Sequence, residues 1–132
     1  MNSTTPASVQ VNEIAFTGYP VTDIARARAF YESVLGLKTS AVWETDGGPS
    51  WIEYDIGPGT IAITNMAPEK WKPSADGPSV ALEVADFDAA VAALRAAGTR
   101  FYLEPMASPS CRLAVISDPD GNSLAIHQRN SK

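Results

Sequence analysis

The stretch "DPDGNSLAI", Asp118–Ile126, decides how this chain folds, because the earlier stretch "DIGPGTIAI", Asp55–Ile63, repeats its ending. Each stretch begins with Asp, turns on Gly and Pro, and finishes on a small hydroxyl residue, an aliphatic residue, Ala and Ile. The two Asp residues are 63 positions apart (118 − 55), and so are Asp23 and Asp86 (86 − 23). Two landmarks with one offset predict a duplicated unit, which we interpret as a pseudo-twofold pair.

Each unit is predicted to run strand, helix, strand, strand, strand. The first strands are "EIAFTGYPV", Glu13–Val21, and "SVALEVA", Ser79–Ala85, whose β-branched and aromatic residues favour strands. The other strands are predicted at 39–44, 50–56 and 60–65 in the first unit, and at 100–104, 112–116 and 123–128 in the second.

A helix follows the first strand of each unit. Asp23 and Asp86 are placed as N-cap residues, and Gly36 and Gly98 follow the last turns as C′ residues. One helix covers only one face of a small sheet, so the other face must meet another surface. Two such open faces turned toward each other would form a cleft, where small ligands usually bind.

The fold class predicted is therefore α+β, with two tandem βαβββ modules whose mixed, curved sheets form a cleft. The segment 66–78 contains three prolines and is expected to lack regular structure. The boundaries we expect are a flexible N-terminus at 1–12, a first module at 13–66, a linker at 67–78, a second module at 79–128 and a tail at 129–132, with one structural domain over 13–128.

Composition excludes several classes of function. A formal net charge of −5 argues against nucleic acid and against an anionic membrane as a partner, since both attract basic surfaces. The single cysteine, Cys111, rules out an internal disulfide and a zinc–thiolate cluster. No apolar run has membrane-spanning length, and the N-terminal segment lacks the basic start and apolar core of a secretory signal. We therefore expect a cytoplasmic protein.

Two motifs resemble a known family. "VTDIARARAFYESVLGL", Val21–Leu37, resembles the first-helix signature of the vicinal oxygen chelate superfamily, and "DPDGNSLAI" resembles its C-terminal signature. That superfamily includes glyoxalase I, extradiol dioxygenases, fosfomycin resistance enzymes and bleomycin resistance proteins. The resemblance extends over about 13–128. It implies a glyoxalase/bleomycin resistance-like fold and, for a chain of this size, a homodimer.

The resemblance also implies where a metal would be held. Metal-dependent members take ligands from the first and last strand of each module, and these positions fall at Phe16, Ala62, Ser79 and Ala125 in this chain. Divalent metals are bound by imidazole, carboxylate or thiolate groups, and these four side chains offer none of them. We therefore expect no metal cofactor, and glyoxalase I or dioxygenase activity is disfavoured.

Strand alternation predicts which side chains share the cleft. The titratable ones are Glu53, Glu83 and His127, which are the candidates for proton transfer, although a solvated or hydrogen-bonded structural role explains each of them as well. The full set of candidate cleft residues is Phe16, Trp51, Glu53, Ala62, Ser79, Glu83, Ala125 and His127.

Three hypotheses of function follow. The first is a metal-free binding protein whose cleft holds a small, partly apolar or aromatic molecule. The alternative is a lyase, isomerase or dioxygenase-type enzyme, which would use Glu53, Glu83 and His127 as a displaced metal site or for metal-free acid–base catalysis. A fold that serves only for assembly is the weakest, because dimerisation alone does not explain an open sheet face with mixed side chains.

Overall fold

A computed structural model describes residue 10 and residues 12–130. Most of the predicted flexible N-terminus, 1–9 and 11, and the end of the predicted tail, 131–132, lie outside the described residues. The first module comprises β1 (Thr17–Pro20), α1 (Ile24–Arg28) continuing as a π-helix (Ala29–Val34), β2 (Thr39–Glu44), β3 (Ser50–Ile56) and β4 (Gly59–Thr64). The second module comprises β5 (Val80–Glu83), α2 (Phe87–Ala96), β6 (Phe101–Ala107), β7 (Cys111–Ser117) and β8 (Ser123–Arg129).

Both modules have the same topology, which confirms the predicted α+β fold. The strand order is β1-β4-β3-β2 in the first sheet and β5-β8-β7-β6 in the second. The first strand of each module pairs parallel with the last, and the other pairs are antiparallel, so both sheets are mixed. No helix of the described residues is long and apolar enough to cross a membrane.

The predicted helix ends are confirmed. The Asp23 carboxylate accepts a hydrogen bond from the backbone N–H of Arg26 at 3.0 Å, and the Asp86 carboxylate accepts one from Ala89 at 3.0 Å. Each bond satisfies a donor that the first helical turn would leave without a partner. Gly36 and Gly98 have φ values of +74° and +76°, the left-handed conformation in which glycine ends a helix without steric cost.

The predicted repeat holds for the parallel strand pairs. The ends of β1 and β5 differ by 63 residues (80 − 17 and 83 − 20). Thr17 pairs with Ile61 and Val80 pairs with Leu124, so β4 and β8 keep this offset (124 − 61). Both first strands begin later than predicted. The last strand of each module extends only one or two residues before its first parallel pair, so residues further upstream in the first strand have no partner to pair with.

The third strands follow an offset of 62, because the second module has one more residue in its last turn. Asp55 pairs with Thr60 inside the first ladder, whereas Ser117 pairs with Ser123 in the second. The structural counterpart of Asp55 is therefore Ser117 (117 − 55 = 62), and the alignment of Asp55 with Asp118 is wrong by one residue. Asp55 is exposed, whereas Asp118 is only 3% exposed.

The two helices and the inward faces of both sheets enclose one continuous hydrophobic core. Alternate strand residues point into it, as the period of two requires. Its buried members are Tyr19, Val21, Ala27, Phe30, Tyr31, Ile52, Tyr54, Ile61 and Ile63 from the first module, and Phe87, Leu94, Ala114, Ile116, Leu124 and Ile126 from the second.

The last turn of the second module ties the modules together. The Asp118 carboxylate accepts hydrogen bonds from the Tyr31 hydroxyl at 2.9 Å, the Asn122 side-chain amide at 2.9 Å, and the backbone N–H groups of Asp120 and Asn122. The Asn122 amide also donates to the backbone carbonyl of Pro20 at 2.7 Å. Burial raises the pKa of the Asp118 carboxyl, and the four donors act in the opposite direction. We name Asp118–Asn122 the docking turn.

Candidate functional site

Each sheet leaves one face uncovered by its own helix. Residues that are directly opposite in a ladder share a face, so the register defines both open faces. In the first sheet one row is Gly18, Ala62, Glu53 and Ala41, and the next row is Pro20, Thr64, Trp51 and Trp43. In the second sheet one row is Ala81, Ala125, Val115 and Leu103, and the next row is Glu83, His127, Leu113 and Met106. The register places the predicted strand residues on these faces, whereas Phe16 and Ser79 precede β1 and β5 and have no register position.

The open face of the first sheet is aromatic, and we call it the aromatic face. Phe16, which lies just before β1, makes an edge-to-face contact with Trp51, with ring centroids 5.0 Å apart at 90°. The Trp51 indole N–H donates to Glu53 Oε2 at 2.8 Å. Trp43 is directly opposite Trp51 and is 54% exposed. Two of the three tryptophans of the chain thus lie side by side on this face.

The third tryptophan, Trp71, comes from the linker. The linker contains no helix or strand, as the sequence predicts, but it folds back over the first sheet. A Cβ added to Gly18 would lie 2.7 Å from Trp71 Cη2 and 3.6 Å from Phe16 Cε1, so Trp71 packs on the side of Gly18 that belongs to the aromatic face. Sequence reasoning missed this residue. The signal was Gly18 itself, because a glycine within a strand often marks a close approach.

The open face of the second sheet is aliphatic, and we call it the aliphatic face. Leu103 and Met106 are 39% and 48% exposed, and Leu113 and Val115 are half-buried beside them. Ala125 is only 7% exposed. The two open faces thus differ in character: one offers flat rings and the other offers flexible aliphatic groups.

Glu83 and His127 form a pair at one end of the aliphatic face. His127 Nδ1 lies 2.5 Å from Glu83 Oε1, and the backbone N–H of Arg129 donates to Glu83 Oε2 at 2.7 Å. These two contacts hold the pKa of the Glu83 carboxyl below its usual range, with the Arg129 N–H as the larger cause. A carboxylate that holds Nδ1 in this way orients the imidazole ring and leaves Nε2 available to the face.

The four positions that the sequence resemblance assigns to metal ligands do not offer a metal donor set. Phe16, Ala62 and Ala125 have no donor atom in their side chains, and Ser79 has only a hydroxyl. Ala62 is fully buried within the aromatic face. Nor do other residues replace these donors: the described part of the chain gathers no group of three His, Cys, Asp or Glu side chains suited to an ion.

Two of the three titratable candidates come together, and the third does not. Glu83 and His127 are paired on the aliphatic face, whereas Glu53 is bonded to Trp51 on the aromatic face. The Arg112 guanidinium pairs with Asp88 at 2.8 Å and not with Glu83. The displaced metal set is therefore not assembled within the described part of one chain.

A cavity of about 450 Å³ lies where the modules meet. The turn between β3 and β4 lines one side of it, β5 lines the other, and the chain before β1 completes the wall. The lining is mostly apolar and includes Ile14, Ile56, Pro58 and Leu82. Both β1 and β5 contribute to the lining of this cavity. Each of them has only one paired neighbour among the described strands, so each has a free edge.

Comparison with protein families gives one match over most of the chain. The model of the Glyoxalase/Bleomycin resistance protein/Dioxygenase superfamily matches residues 11–126. No match was found among curated proteins.

Solved structures share the fold of both modules. The protein TnmS3 from Streptomyces sp. CB03234, described as an antibiotic binding protein, is 23% identical with a TM-score of 0.74, over 92% of this chain and 99% of that one. A glyoxalase/bleomycin resistance protein from the same organism is 25% identical with a TM-score of 0.70, over 88% and 100% of the two chains. A glyoxylase/bleomycin resistance protein/dioxygenase domain from Frankia sp. EAN1pec is 16% identical with a TM-score of 0.73, over 92% and 95%.

Proposed function

The chain belongs to the Glyoxalase/Bleomycin resistance protein/Dioxygenase superfamily, and from this premise we propose that it binds a small, flat organic molecule on its aromatic face without a metal. The observation that carries the proposal is that all three tryptophans of the chain lie on that one open face. Tryptophans that serve only packing are usually buried, whereas Trp43 is 54% exposed. Exposed rings on a rigid sheet provide a stacking surface for a flat ligand.

Two further observations support binding over metal-dependent catalysis. The positions that the resemblance assigns to metal ligands carry Phe16, Ala62, Ser79 and Ala125, which lack suitable donors, and Ala62 is fully buried. The structural neighbour TnmS3 is described as an antibiotic binding protein, and it shares this fold over nearly its whole length. Small-molecule binding is thus compatible with the same arrangement of two modules.

We expect acridine, a flat neutral ring system, to raise the melting temperature of the protein and to quench its tryptophan emission. A ligand that binds only the folded state must raise its apparent stability. Zn²⁺, Ni²⁺, Mn²⁺ and Fe²⁺ should give no saturable shift, because no donor set is assembled for them. Differential scanning fluorimetry with each compound, followed by elemental analysis of the purified protein, provides the measurement.

Two neighbouring residues provide a matched control for this experiment. Trp43 and Val42 point to opposite faces of β2 and are similarly exposed, at 54% and 50%. Trp43→Ala should weaken acridine binding by about five- to tenfold through loss of stacking, and Val42→Ala should leave it unchanged. Equal effects of the two variants, or a saturable 1:1 metal shift in the wild-type protein, would contradict the proposal.

We also propose that the protein is a homodimer. Leu103 and Met106 leave apolar surface exposed at the outer strand of the second sheet, and the edges of β1 and β5 carry no second paired strand among the described residues. Exposed apolar patches and free strand edges are usually covered by a partner. A twofold pair is the simplest assembly that covers them.

Sedimentation equilibrium at micromolar concentration should therefore give a mass of about 28 kDa, twice the 14.0 kDa chain. Placing a charge on the exposed apolar surface, as in Met106→Glu, should shift the protein toward 14 kDa. Glu104→Gln, which changes an exposed side chain that is ion-paired with Arg95, is the control and should remain a dimer. A wild-type protein that stays monomeric at high concentration would overturn the proposal.

One observation favours a second function, metal-free acid–base catalysis at the Glu83–His127 pair. The 2.5 Å contact orients the imidazole as a carboxylate orients a catalytic histidine, and the ring lies beside apolar Leu113. The reaction class would be proton removal next to a carbonyl group and its return to another atom. This function would replace simple binding if the protein exchanged the α-hydrogens of a small ketone with solvent and His127→Asn abolished that exchange. Asp46→Asn, a change in an exposed loop, is the control.

A further inference from the structure

We infer that the molecule bound by the aromatic face is a flat aromatic cation, with Glu53 as its counter-charge. This inference rests on the proposed function and deepens it, because it names the chemical class of the ligand. It depends on three features of the face: the exposed rings, the sign of the charges beside them, and the way Glu53 is held.

The rings offer surface on which a cation is attracted. Phe16 and Trp43 are 44% and 54% exposed, Trp51 is half-buried against Phe16, and Trp71 is half-buried beside Gly18. The face of an aromatic ring carries the negative end of its quadrupole, so a cation above it is attracted, most strongly by Trp. A cluster that contains every tryptophan of the chain therefore favours a cation over an anion of the same shape.

The charges on the face have one sign. Among the described strand residues on the aromatic face, Glu53 and Asp55 are acidic and none is Lys or Arg. Asp55 is exposed and accepts a hydrogen bond from the Thr60 hydroxyl at 2.9 Å. Lys70 and Lys72 flank Trp71 in the linker, but both are exposed and neither forms an ion pair among the described residues. The described strand residues of this face thus include no positive group that would neutralise Glu53.

The Glu53 carboxylate is fixed in position, and only part of its capacity to accept hydrogen bonds is used. The Trp51 indole N–H holds Oε2 at 2.8 Å, while Oε1 accepts no hydrogen bond from the described residues. The side chain is half-buried beside the rings, where the low polarity strengthens attraction to an opposite charge. A cation stacked on Trp51 would therefore meet both the ring and the free carboxylate oxygen, whereas a neutral ligand would meet the ring alone.

Three compounds with one ring system test the inference. 10-Methylacridinium carries a permanent positive charge, acridine is neutral at pH 8, and acridine-9-carboxylate is negative. Isothermal titration calorimetry at pH 8 should show 10-methylacridinium binding about tenfold more tightly than acridine, within the range of a partly desolvated cation–π contact and ion pair. Acridine-9-carboxylate should bind more weakly than acridine.

Glu53→Gln isolates the charge, because the glutamine carbonyl can still accept the Trp51 N–H bond. In this variant the affinity for 10-methylacridinium should fall by about three- to fivefold and by more than the affinity for acridine, while the smaller preference that the rings alone provide remains. Asp46→Asn removes the same charge from an exposed loop and should retain the preference for the cation. Measuring at two salt concentrations should show the preference decrease as salt rises.

The outcomes separate the inference from the proposed function. If acridine and 10-methylacridinium bind equally well and Glu53→Gln changes neither affinity, the inference is overturned and the binding function stands. If Asp46→Asn reduces the preference as much as Glu53→Gln does, the effect belongs to net charge and the inference is again overturned. If none of the three compounds binds, the proposed function fails and the inference fails with it.

Discussion

Replacing Asp118 by Ala should lower the free energy of unfolding by about 3–4 kcal/mol and the melting temperature by roughly 10–15 °C. The carboxylate is 3% exposed and accepts four hydrogen bonds within the docking turn and from Tyr31. Without it, the Tyr31 hydroxyl and two backbone N–H groups would remain buried and unpaired. Each such group costs about 1–3 kcal/mol, and partial hydration of the cavity offsets part of the sum.

Asp55→Ala is the matched control, because sequence alignment places Asp55 at the same point of the repeat. Asp55 is exposed and bonds only to the Thr60 hydroxyl, so its removal should cost less than about 1 kcal/mol. Asp118→Asn should have an intermediate effect, since its oxygen can accept the backbone donors while its NH₂ group faces other donors. Urea unfolding followed by circular dichroism provides the measurement. Equal losses in Asp118→Ala and Asp55→Ala would show that the docking turn is not a major source of stability.

Between pH 10 and 11 the protein should lose up to about 3 kcal/mol of stability, because three tyrosines buried in the core keep protons that the unfolded chain releases. Tyr19, Tyr31 and Tyr54 are 5%, 0% and 0% exposed, and burial is the largest cause that raises the pKa of each hydroxyl. Hydrogen bonds to Asp118 and to Glu32 raise the pKa values of Tyr31 and Tyr54 further.

The sign follows from proton counting. Above the ordinary tyrosine pKa of about 10, the unfolded chain releases protons that the native protein keeps, so unfolding becomes more favourable as pH rises. Each tyrosine contributes about 1.4 kcal/mol per pH unit until its folded pKa is reached. Well below pH 10, all three are protonated in both states, and their stabilisation is fully present.

The measurement is the urea midpoint at pH 9, 10 and 11, together with tyrosinate absorbance. Tyr54→Phe removes one of the three groups and should reduce the slope between pH 10 and 11 by about one third. Absorbance from the three core tyrosines should appear only as the protein unfolds. A flat stability profile between pH 10 and 11, or tyrosinate that forms while the fold is intact, would contradict the expected burial of these hydroxyls.

The repeat in the sequence predicted the fold well because its signals are local. N-cap aspartates, C′ glycines and alternating strands depend on residues a few positions apart, and the structure confirms them at Asp23, Asp86, Gly36 and Gly98. The alignment of Asp55 with Asp118 is wrong by one residue. The two sequences are similar, but the turn before β8 is one residue longer than the turn before β4, counted between equivalent ladder pairs. Turn length is fixed by what the turn contacts, and here that is the other module.

The candidate site could be predicted only in part. Alternation placed Glu83 and His127 on one face, but their contact depends on the pairing of β5 with β8, which a single sequence does not specify. The position of Trp71 depends on how an irregular linker returns to a sheet, and no periodicity encodes such a path. Both features arise from tertiary packing, which is why alternation assigned Glu53 and Trp51 to the cleft but did not find Trp71 beside Gly18.

The place of β8 in its sheet has a consequence for how the chain is made. β8 lies between β5 and β7 and is synthesised after both of them, and the docking turn that precedes it completes the contacts of Tyr31, 87 residues earlier. A ribosome that has added residue 117 therefore carries two unfinished modules: one lacks its central strand, and the other has a tyrosine hydroxyl without its partner. Long-range closure of this kind makes folding slow and leaves apolar strands exposed during synthesis. We therefore expect a chain interrupted before Asp118 to be a substrate for chaperones and proteases.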